Sequence, residues 1–222
     1  MREGDPIRTF KARRRVTPGQ AAARERLLPV YGVDLSRPFC AREVFGRPAP
    51  LVLEIGSGMG EATVAMAAAD PSRDLLAVEV HTPGVGALLR RVEAAGLTNV
   101  RVAEADALDV LRDLLAAGSL DEVRVFFPDP WPKSRHVKRR LLSTSFADLV
   151  ASRLRPGGLL HVATDSPSYA AQTVRVLEEH ALLEVVSRER GARPVTRFEQ
   201  QALDARRRAH DVVARRVRTA AG

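Results

Sequence analysis

From residue 51 onward, short apolar runs alternate with longer segments whose apolar residues recur at helical spacing. Short runs of this kind are typical of buried strands. We predict strands at Leu51–Ile55, Leu75–Val80, Val100–Glu104, Glu122–Phe127, Leu159–Thr164, Leu183–Arg188 and Asp211–Val217. We predict helices at Glu61–Ala69, Pro83–Ala95, Ala107–Ala116, roughly Lys138–Leu154 and Ser168–His180. The alternation predicts an α/β fold with a seven-stranded, mostly parallel sheet and helices on both faces.

Residues 1–48 have a different character, with scattered prolines, the Arg13–Arg15 run and only weak periodicity. A short helix is predicted at Pro18–Leu28, with Thr17 as its N-cap and Pro18 at its first helical position. We therefore expect two parts, a basic N-terminal arm over residues 1–48 with scope for flexibility and one α/β domain over residues 49–222.

The composition argues against several classes of protein. The longest apolar runs fall well short of the roughly 20 residues that a membrane helix needs. No apolar stretch follows the first residues, which argues against a secretory signal. The single cysteine, Cys40, allows no intrachain disulfide. We therefore expect a cytoplasmic protein without membrane association.

The chain is basic, with 35 lysines and arginines against 27 acidic residues and a net charge of +8. This balance suits a polyanionic partner. A GC-rich coding sequence would produce the same excess, because arginine greatly outnumbers lysine, so the total charge leaves both explanations open. The clusters are more informative, and the densest are Arg13–Arg15, Arg135–Arg140 and Arg206–Arg208.

A glycine-rich turn follows the first predicted strand. Gly56, Gly58 and Gly60 allow a sharp turn and a close approach of a ligand to the backbone. The spacing differs from the Gly-x-Gly-x-x-Gly of dinucleotide sites, and Glu54 lies at the end of the strand. That carboxylate would repel a pyrophosphate but would attract a ligand with an amino group and a sulfonium. The turn therefore predicts a site for S-adenosylmethionine.

Two further acids follow the next two predicted strands. Glu79 lies where a carboxylate can accept hydrogen bonds from ribose hydroxyls. Asp106 lies where methyltransferases of this type commonly bind the adenine amino group, although it is equally suited to cap a helix beginning at Ala107. With Glu54, these acids end three consecutive strands, which favours a cofactor site.

The fourth predicted strand runs into Phe-Phe-Pro-Asp-Pro-Trp-Pro-Lys at residues 126–133. The flanking prolines restrict the backbone around Asp129, and Trp131 is the only tryptophan. The basic run Arg135–Arg140 comes directly afterwards. Such a cluster is typical of a phosphate-binding surface, the alternative being a solvated basic helix start.

Five stretches match a known family in order. They are Leu-Glu-Ile-Gly-Ser-Gly-Met-Gly at 53–60, Val-Glu-Val-His-Thr-Pro-Gly-Val-Gly at 78–86, Phe-Phe-Pro-Asp-Pro-Trp-Pro-Lys-Ser-Arg-His-Val-Lys-Arg-Arg at 126–140, Thr-Asp at 164–165 and Arg-Pro-Val-Thr-Arg-Phe-Glu at 193–199. In these stretches the chain resembles the bacterial tRNA (guanine-N7-)-methyltransferases. The first stretch alone would indicate only a class I methyltransferase, whereas the long central stretch is specific to the family.

The resemblance implies a class I methyltransferase Rossmann-like fold and methyl transfer from S-adenosylmethionine to N7 of guanine 46 in the tRNA variable loop. The implied cofactor contacts are Glu54, Gly56, Gly58, Gly60, Glu79, Asp106 and Asp129, of which Asp129 is also the candidate catalytic acid. The implied substrate contacts are Lys133, Asp165, Thr196, Arg197, Phe198 and Glu199. The implied RNA-binding residues are Arg135, His136, Lys138, Arg139 and Arg140. We expect tRNA as partner, no metal, no obligate protein partner, and a monomer or homodimer.

The C-terminal region departs from the family pattern. Ala202 and Ala209 replace glycines, and the spacing to His210 is longer than usual. The register of the last strand and the role of His210 are therefore left open.

Two alternative functions remain at this level. The loop around Asp129 loosely resembles the Asn/Asp-Pro-Pro-aromatic loop of methyltransferases that act on an exocyclic amine of a DNA or RNA base. The other alternative is a non-catalytic RNA-binding protein with the same fold.

Overall fold

The computed structural model describes residues 16–217, so the Arg13–Arg15 run lies outside the described residues. The strands are β1 Leu51–Ile55, β2 Asp74–Val78, β3 Val100–Ala103, β4 Leu120–Phe126, β5 Leu154–Thr164, β6 Leu183–Ser187 and β7 His210–Arg216. The α-helices are α1 Pro18–Tyr31, α2 Ala41–Phe45, α3 Glu61–Ala69, α4 Thr82–Ala94, α5 Ala107–Asp109, α6 Thr144–Arg153, α7 Pro167–Glu178 and α8 Arg197–Asp204. A π-helical turn at Val110–Leu114 continues α5, and a 3₁₀ helix spans Ser134–Arg139.

The strands form one sheet in the order β3-β2-β1-β4-β5-β7-β6. All neighbours pair in parallel except β7, which pairs antiparallel with both β5 and β6. The predicted seven-stranded, mostly parallel α/β fold is therefore confirmed. The register of the last strand, which the sequence left open, is also established, because Thr164 pairs with His210 and Val162 with Val212. The side chain of His210 is exposed.

Apolar residues alternate along the central strands and build a core on each face of the sheet. Val52 and Leu75 pack on one side with α1, α3 and α4. Leu53 and Leu76 pack on the other side with α6 and α7. Because β1 is buried on both faces, its sequence is a continuous apolar run interrupted only by Glu54.

Helix α1 belongs to the first of these two layers. Thr17 and Gln20 form a capping box at its start. Ala23 and Leu27 are buried in the same core as α4. The two helices approach closely, since a Cβ added at Gly86 would lie 2.5 Å from the carbonyl oxygen of Gln20. The domain boundary at residue 48 stays a prediction.

The helix predicted at roughly Lys138–Leu154 is wrong over residues 138–143. The 3₁₀ helix ends at Arg139, the backbone of Arg140 is extended, and α6 begins only at Thr144. Ser143 caps α6 by accepting a hydrogen bond from the amide of Phe146 at 3.3 Å. The break arises because Arg140 turns into the protein instead of continuing a helical surface. Among residues 16–217, no helix has the length and apolar character required to cross a membrane.

Candidate active site

The glycine turn after β1 adopts a conformation that only glycine takes without strain. Gly56, Gly58 and Gly60 have φ angles of 74°, 56° and 82°, all in the left-handed region. The turn is also tightly packed, because a Cβ at Gly84 in α4 would lie 2.6 Å from the carbonyl oxygen of Gly58. A Cβ at Gly60 would meet the side chain of Leu88 at 2.5 Å. The first turn of α4 therefore holds the glycine turn in place.

Glu79 connects the end of β2 to this turn. One carboxylate oxygen accepts a hydrogen bond from the amide of Gly58 at 2.7 Å, and the other accepts one from the amide of His81 at 2.8 Å. A carboxylate has about four acceptor positions, so Glu79 keeps capacity for further donors. Glu79 therefore lies directly against the glycine turn.

Glu54 is buried beneath the turn, with 2% of its surface exposed. Its Oε2 atom and the hydroxyl of Ser57 have no hydrogen-bond partner among the described residues. Burial raises the pKa of Glu54 to about 7, an effect that Arg124 on β4 partly offsets. A buried carboxylate without a donor is costly. Its surroundings therefore fit a ligand that brings a positively charged donor.

Glu79, Asp106 and Asp129 line one cleft of about 290 Å³ at the carboxyl edge of β1, β2 and β4. Trp131 and Arg139 line the same cleft. Ligands of open parallel sheets bind at this edge.

Asp106 also caps α5 by accepting a hydrogen bond from the amide of Leu108 at 2.9 Å. Asp106 therefore caps a helix, as considered from the sequence, and also lines the cleft.

A second, larger cavity of about 1060 Å³ adjoins the cleft and shares Val80, Ala105 and Asp106 with it. Its outer wall comes from α1 and the residues after it, including Arg24 and Leu35. Sequence reasoning missed this wall. Arg24 belongs to no motif, and only the docking of α1 brings it to a cavity that Asp106 also lines.

The loop from β4 to the 3₁₀ helix is strained at both ends of the Pro-Asp-Pro segment. Phe127 has a φ of 52° and Trp131 a φ of 41°, in the left-handed region that bulky residues avoid. Such conformations cost on the order of 1–3 kcal/mol each and persist only where the surroundings impose them. The side chain of Asp129 between them is exposed, although partial burial of its carboxyl group raises its pKa.

A buried ionic network holds the first end of this loop. The guanidinium of Arg193 lies 5.0 Å from the ring centre of Phe127. It donates to both oxygens of Asp211, at 2.8 Å each, and to Glu199 at 2.6 Å. His161 contacts Asp211 at 2.8 Å. Burial alone would raise the pKa of Asp211, but hydrogen bonds from Arg193 and His161 hold it well below its ordinary value.

Sequence reasoning missed Arg193, His161 and Asp211 as site residues. The available signal was the position of Arg193 at the start of the matching stretch 193–199.

Arg140 holds the second end of the loop. Its guanidinium is buried and lies 4.9 Å from the ring centre of Tyr169. It donates to the carbonyl of Pro130 and to Gln172 and Ser168 on α7. Arg140 therefore differs from the other predicted RNA-binding residues, because its donors are directed into the protein.

The remaining predicted RNA-binding residues lie on the outer side of the loop. Arg135, Lys138 and Arg139 are exposed, as is Lys133, and His136 is partly exposed. The guanidinium of Arg139 lies 5.0 Å from the ring centre of Trp131, and the His136 ring meets the same indole edge-on. The structure thus presents a basic surface beside the cleft.

The predicted substrate residues of 196–199 form the first turn of α8, which crosses the carboxyl edge of the sheet. Thr196 caps the helix, and the amide of Arg197 donates to Glu61 at 2.7 Å. Phe198 is 53% exposed and its ring centre lies 5.4 Å from that of Phe127. Glu199 is fully buried and pairs with Arg190 and Arg193.

Asp165 follows β5 at the same edge of the sheet. Its side chain is 10% exposed, and one carboxylate oxygen contacts Arg207 at 3.2 Å. Asp129 and Asp165 therefore follow two neighbouring parallel strands, β4 and β5.

The family model described as "Putative methyltransferase" matches residues 48–212. Over 95% of this chain and 76% of the relative, the sequence is 51% identical to a tRNA (guanine-N(7)-)-methyltransferase of Streptomyces avermitilis. It is 46% identical to the enzyme of that name from Nitrosomonas eutropha, over 91% of this chain and 93% of the relative.

Among solved structures, the fold is similar to the 16S rRNA methyltransferase KamB, with a TM-score of 0.56 and 18% identity. That match covers 80% of this chain and 92% of KamB. It also resembles a precorrin-6y C5,15-methyltransferase from Geobacter metallireducens, with a TM-score of 0.52, 16% identity, and coverage of 79% of this chain and 87% of that one. At such identities the likeness shows the class I methyltransferase fold alone. The sequence matches go further, and the chain belongs to the tRNA (guanine-N7-)-methyltransferase family.

Proposed function

We propose that this chain transfers the methyl group of S-adenosylmethionine to N7 of guanine 46 in the variable loop of tRNA. One observation carries the proposal. The loop that places Asp129 in the cleft with Glu79 and Asp106 continues directly into the exposed basic 3₁₀ helix. The names of the relatives support the base and the atom, and the family resemblance supplies position 46.

The residues around the glycine turn suit S-adenosylmethionine. The unpartnered oxygen of Glu54 can accept a hydrogen bond from the ammonium group of the ligand. Glu79 keeps acceptor capacity for ribose hydroxyls, and Asp106 lines the cleft where it can accept from the adenine amino group. When bound, the cofactor supplies a methyl group on a positively charged sulfur.

The reaction asks little acid–base chemistry of the protein. N7 of guanine carries a lone pair at neutral pH, so no proton has to be removed before it attacks. The displacement at the methyl carbon is in line, and alignment is therefore the main task of the active site. The strained, doubly anchored loop from Phe127 to Trp131 suits this task because it fixes the direction of Asp129.

Asp129 also offers electrostatic assistance. As the methyl group is transferred, positive charge leaves the sulfur and appears on the guanine ring. A fixed carboxylate near the ring favours that change. Asp129 and Asp165, which follow the neighbouring strands β4 and β5, are our candidates for this role, either through charge or by accepting hydrogen bonds from N1 and N2 of guanine.

The exposed cations of the basic 3₁₀ helix are proposed to bind tRNA phosphates, with Lys133 at its start. Trp131 ends the strained loop and Phe198 packs on Phe127 at its start. Such aromatic faces suit stacking on a base drawn out of its helix. Arg140 supports this surface from beneath by anchoring Pro130 to α7.

The direct test is incubation with unmodified tRNA and methyl-labelled S-adenosylmethionine, followed by borohydride and aniline. Cleavage of the tRNA at position 46 is expected. Label in RNA without cleavage at a 7-methylguanosine would indicate methylation of an exocyclic amine or another atom. No transfer, and no binding of S-adenosylmethionine in isothermal titration, would indicate a non-catalytic RNA-binding protein.

A further inference from the structure

A second group of arginines, Arg206–Arg208, lies beside the candidate active site. All three side chains are exposed. Arg207 contacts one carboxylate, that of Asp165, and is itself 56% exposed. Within residues 16–217, neither Arg206 nor Arg208 forms an ion pair. The charge of this turn is therefore available to an external anion.

The turn is attached to the same part of the sheet edge as the basic 3₁₀ helix. Arg207 binds Asp165, which directly follows β5. Arg140, which ends the other basic segment, binds Ser168 three residues further along. The two basic segments thus converge on the turn between β5 and α7, with Asp165 between their attachment points.

The turn has a fixed backbone conformation. The amide of Arg206 donates to the carbonyl of Leu203, and the amide of Arg207 donates to that of Ala202, at 2.8 Å each. This pair of bonds is a Schellman motif at the end of α8. Arg206 occupies its left-handed position, with a φ of 58°.

Glycine is the residue that normally occupies this position, because a Cβ is strained there. An arginine is therefore less favourable for folding than glycine. Its presence indicates a role for the side chain outside the fold.

We propose that Arg206–Arg208 form a second phosphate-contact surface for the tRNA, across Asp165 from the Lys133–Arg139 segment. The proposal rests on the proposed function, since it takes the same RNA as partner. Each guanidinium can neutralise one phosphate and release its counterion. When Arg207 moves to a phosphate, Asp165 loses its ion pair and can accept hydrogen bonds from the guanine.

Arg206→Gly gives a clean test because it removes a charge while relieving the backbone. We expect an unchanged or higher melting temperature together with weaker tRNA binding. The slope of log Kd against log salt should fall by about 0.7–0.9, as expected for one lost phosphate contact. The triple variant Arg206→Gly, Arg207→Gln, Arg208→Gln should lose about two to three such contacts.

Arg42→Gln is the matched control. Arg42 is an exposed arginine on α2, which lies against Arg101 near the amino-terminal end of β3, at the opposite edge of the sheet. We expect the salt slope of this variant to equal that of the wild-type protein.

Equal slopes for the triple variant and Arg42→Gln would overturn the proposal. A fall in melting temperature alongside the weaker binding of Arg206→Gly would also overturn it for that position, since the arginine would then serve folding. Failure of the proposed function is a separate outcome, in which the wild-type protein neither binds nor methylates tRNA.

Discussion

Arg140 joins the carbonyl of Pro130, ten residues before it in the chain, to helix α7. Its Nε donates to the Pro130 oxygen at 2.8 Å, while its Nη atoms donate to Gln172 at 2.8 Å and Ser168 at 3.0 Å. One buried side chain thereby closes the loop that carries Asp129. A residue that looks like one more RNA-binding cation in the sequence is a positioning residue in the structure.

Replacing Arg140 by lysine should damage this loop without changing the electrostatics of RNA binding. An ammonium cannot donate in the planar fork that reaches Pro130 and α7 together. Losing one charged hydrogen bond should lower the free energy of unfolding by about 1.5–3 kcal/mol. We expect a lower kcat and an unchanged salt slope of tRNA affinity.

Arg139→Gln is the control for Arg140→Lys. This exposed cation should contribute to the salt slope and little to stability. Arg140→Gln removes the charge as well as the guanidinium. If it flattened the salt slope as Arg139→Gln does, Arg140 would have to contact RNA, and the positioning role would be wrong.

Asp129→Asn should lower the single-turnover rate at saturating tRNA and cofactor, because the amide cannot offset the positive charge on the product ring. A loss on the order of 10²–10³ is typical for one preorganised electrostatic group. Burial raises the pKa of Asp129, so the wild-type rate should begin to fall, as the pH is lowered, above the ordinary aspartate pKa of about 3.9.

The rate of Asp129→Asn should lack this acidic limb. An unchanged single-turnover rate in the variant would remove Asp129 from the proposed mechanism.

Glu54→Gln should stabilise the protein in the absence of cofactor and weaken cofactor binding. Burial raises the pKa of Glu54 from its ordinary value of 4.5 to about 7, so the folded state binds an extra proton between these values. Stability from this group is complete below about pH 4.5 and is lost as the pH rises through 7.

Urea unfolding at pH 5 and pH 8 measures this difference. At pH 8 the free energy of unfolding of the Glu54→Gln variant should exceed that of the wild-type protein by up to about 3 kcal/mol. At pH 5 the difference between the two free energies should be smaller. Isothermal titration should find weaker binding of S-adenosylmethionine by Glu54→Gln. Equal affinity would show that the buried carboxylate does not contact the ligand.

Arg193→Met should destabilise the protein severely because it removes the cation between two buried carboxylates. Glu199 would keep its pairing with Arg190, and Asp211 its contact with His161. Removing one partner of a buried ion pair costs about 3–5 kcal/mol. The substitution should also change the conformation of the active-site loop, because Arg193 packs on Phe127 at its start. Trp131, the only tryptophan, reports the conformation of the loop through its fluorescence.

Arg190→Met is the comparison, because Arg190 shares Glu199 but is 35% exposed. Glu199 keeps its bond to Arg193 in this variant, so we expect a loss of about 1 kcal/mol and unchanged tryptophan emission. Equal losses of unfolding free energy in Arg193→Met and Arg190→Met would contradict the role of Arg193 as the main cation of the buried network.

The positions of the strands were predictable because burial on both faces makes each central strand a continuous apolar run. The prediction Leu51–Ile55 equals β1, and Leu75–Val80 differs from β2 by one residue at the start and two at the end. The start of β5 was not predictable in the same way. β5 begins at Leu154 and continues over the exposed residues 155–157 before it becomes buried at Gly158. Its pairing with β4 shifts register in this part.

The sequence alone determined the glycine turn, its acidic strand ends and the adjacency of Asp129 to a basic run, because each depends on neighbours along the chain. It could not determine which of the charged residues face inward. Arg140, Arg193 and Glu199 are buried because their partners come from distant segments. A buried charge is costly unless such a partner offsets its loss of hydration. The tertiary structure therefore decided which charges brace the loop and which remain available to RNA.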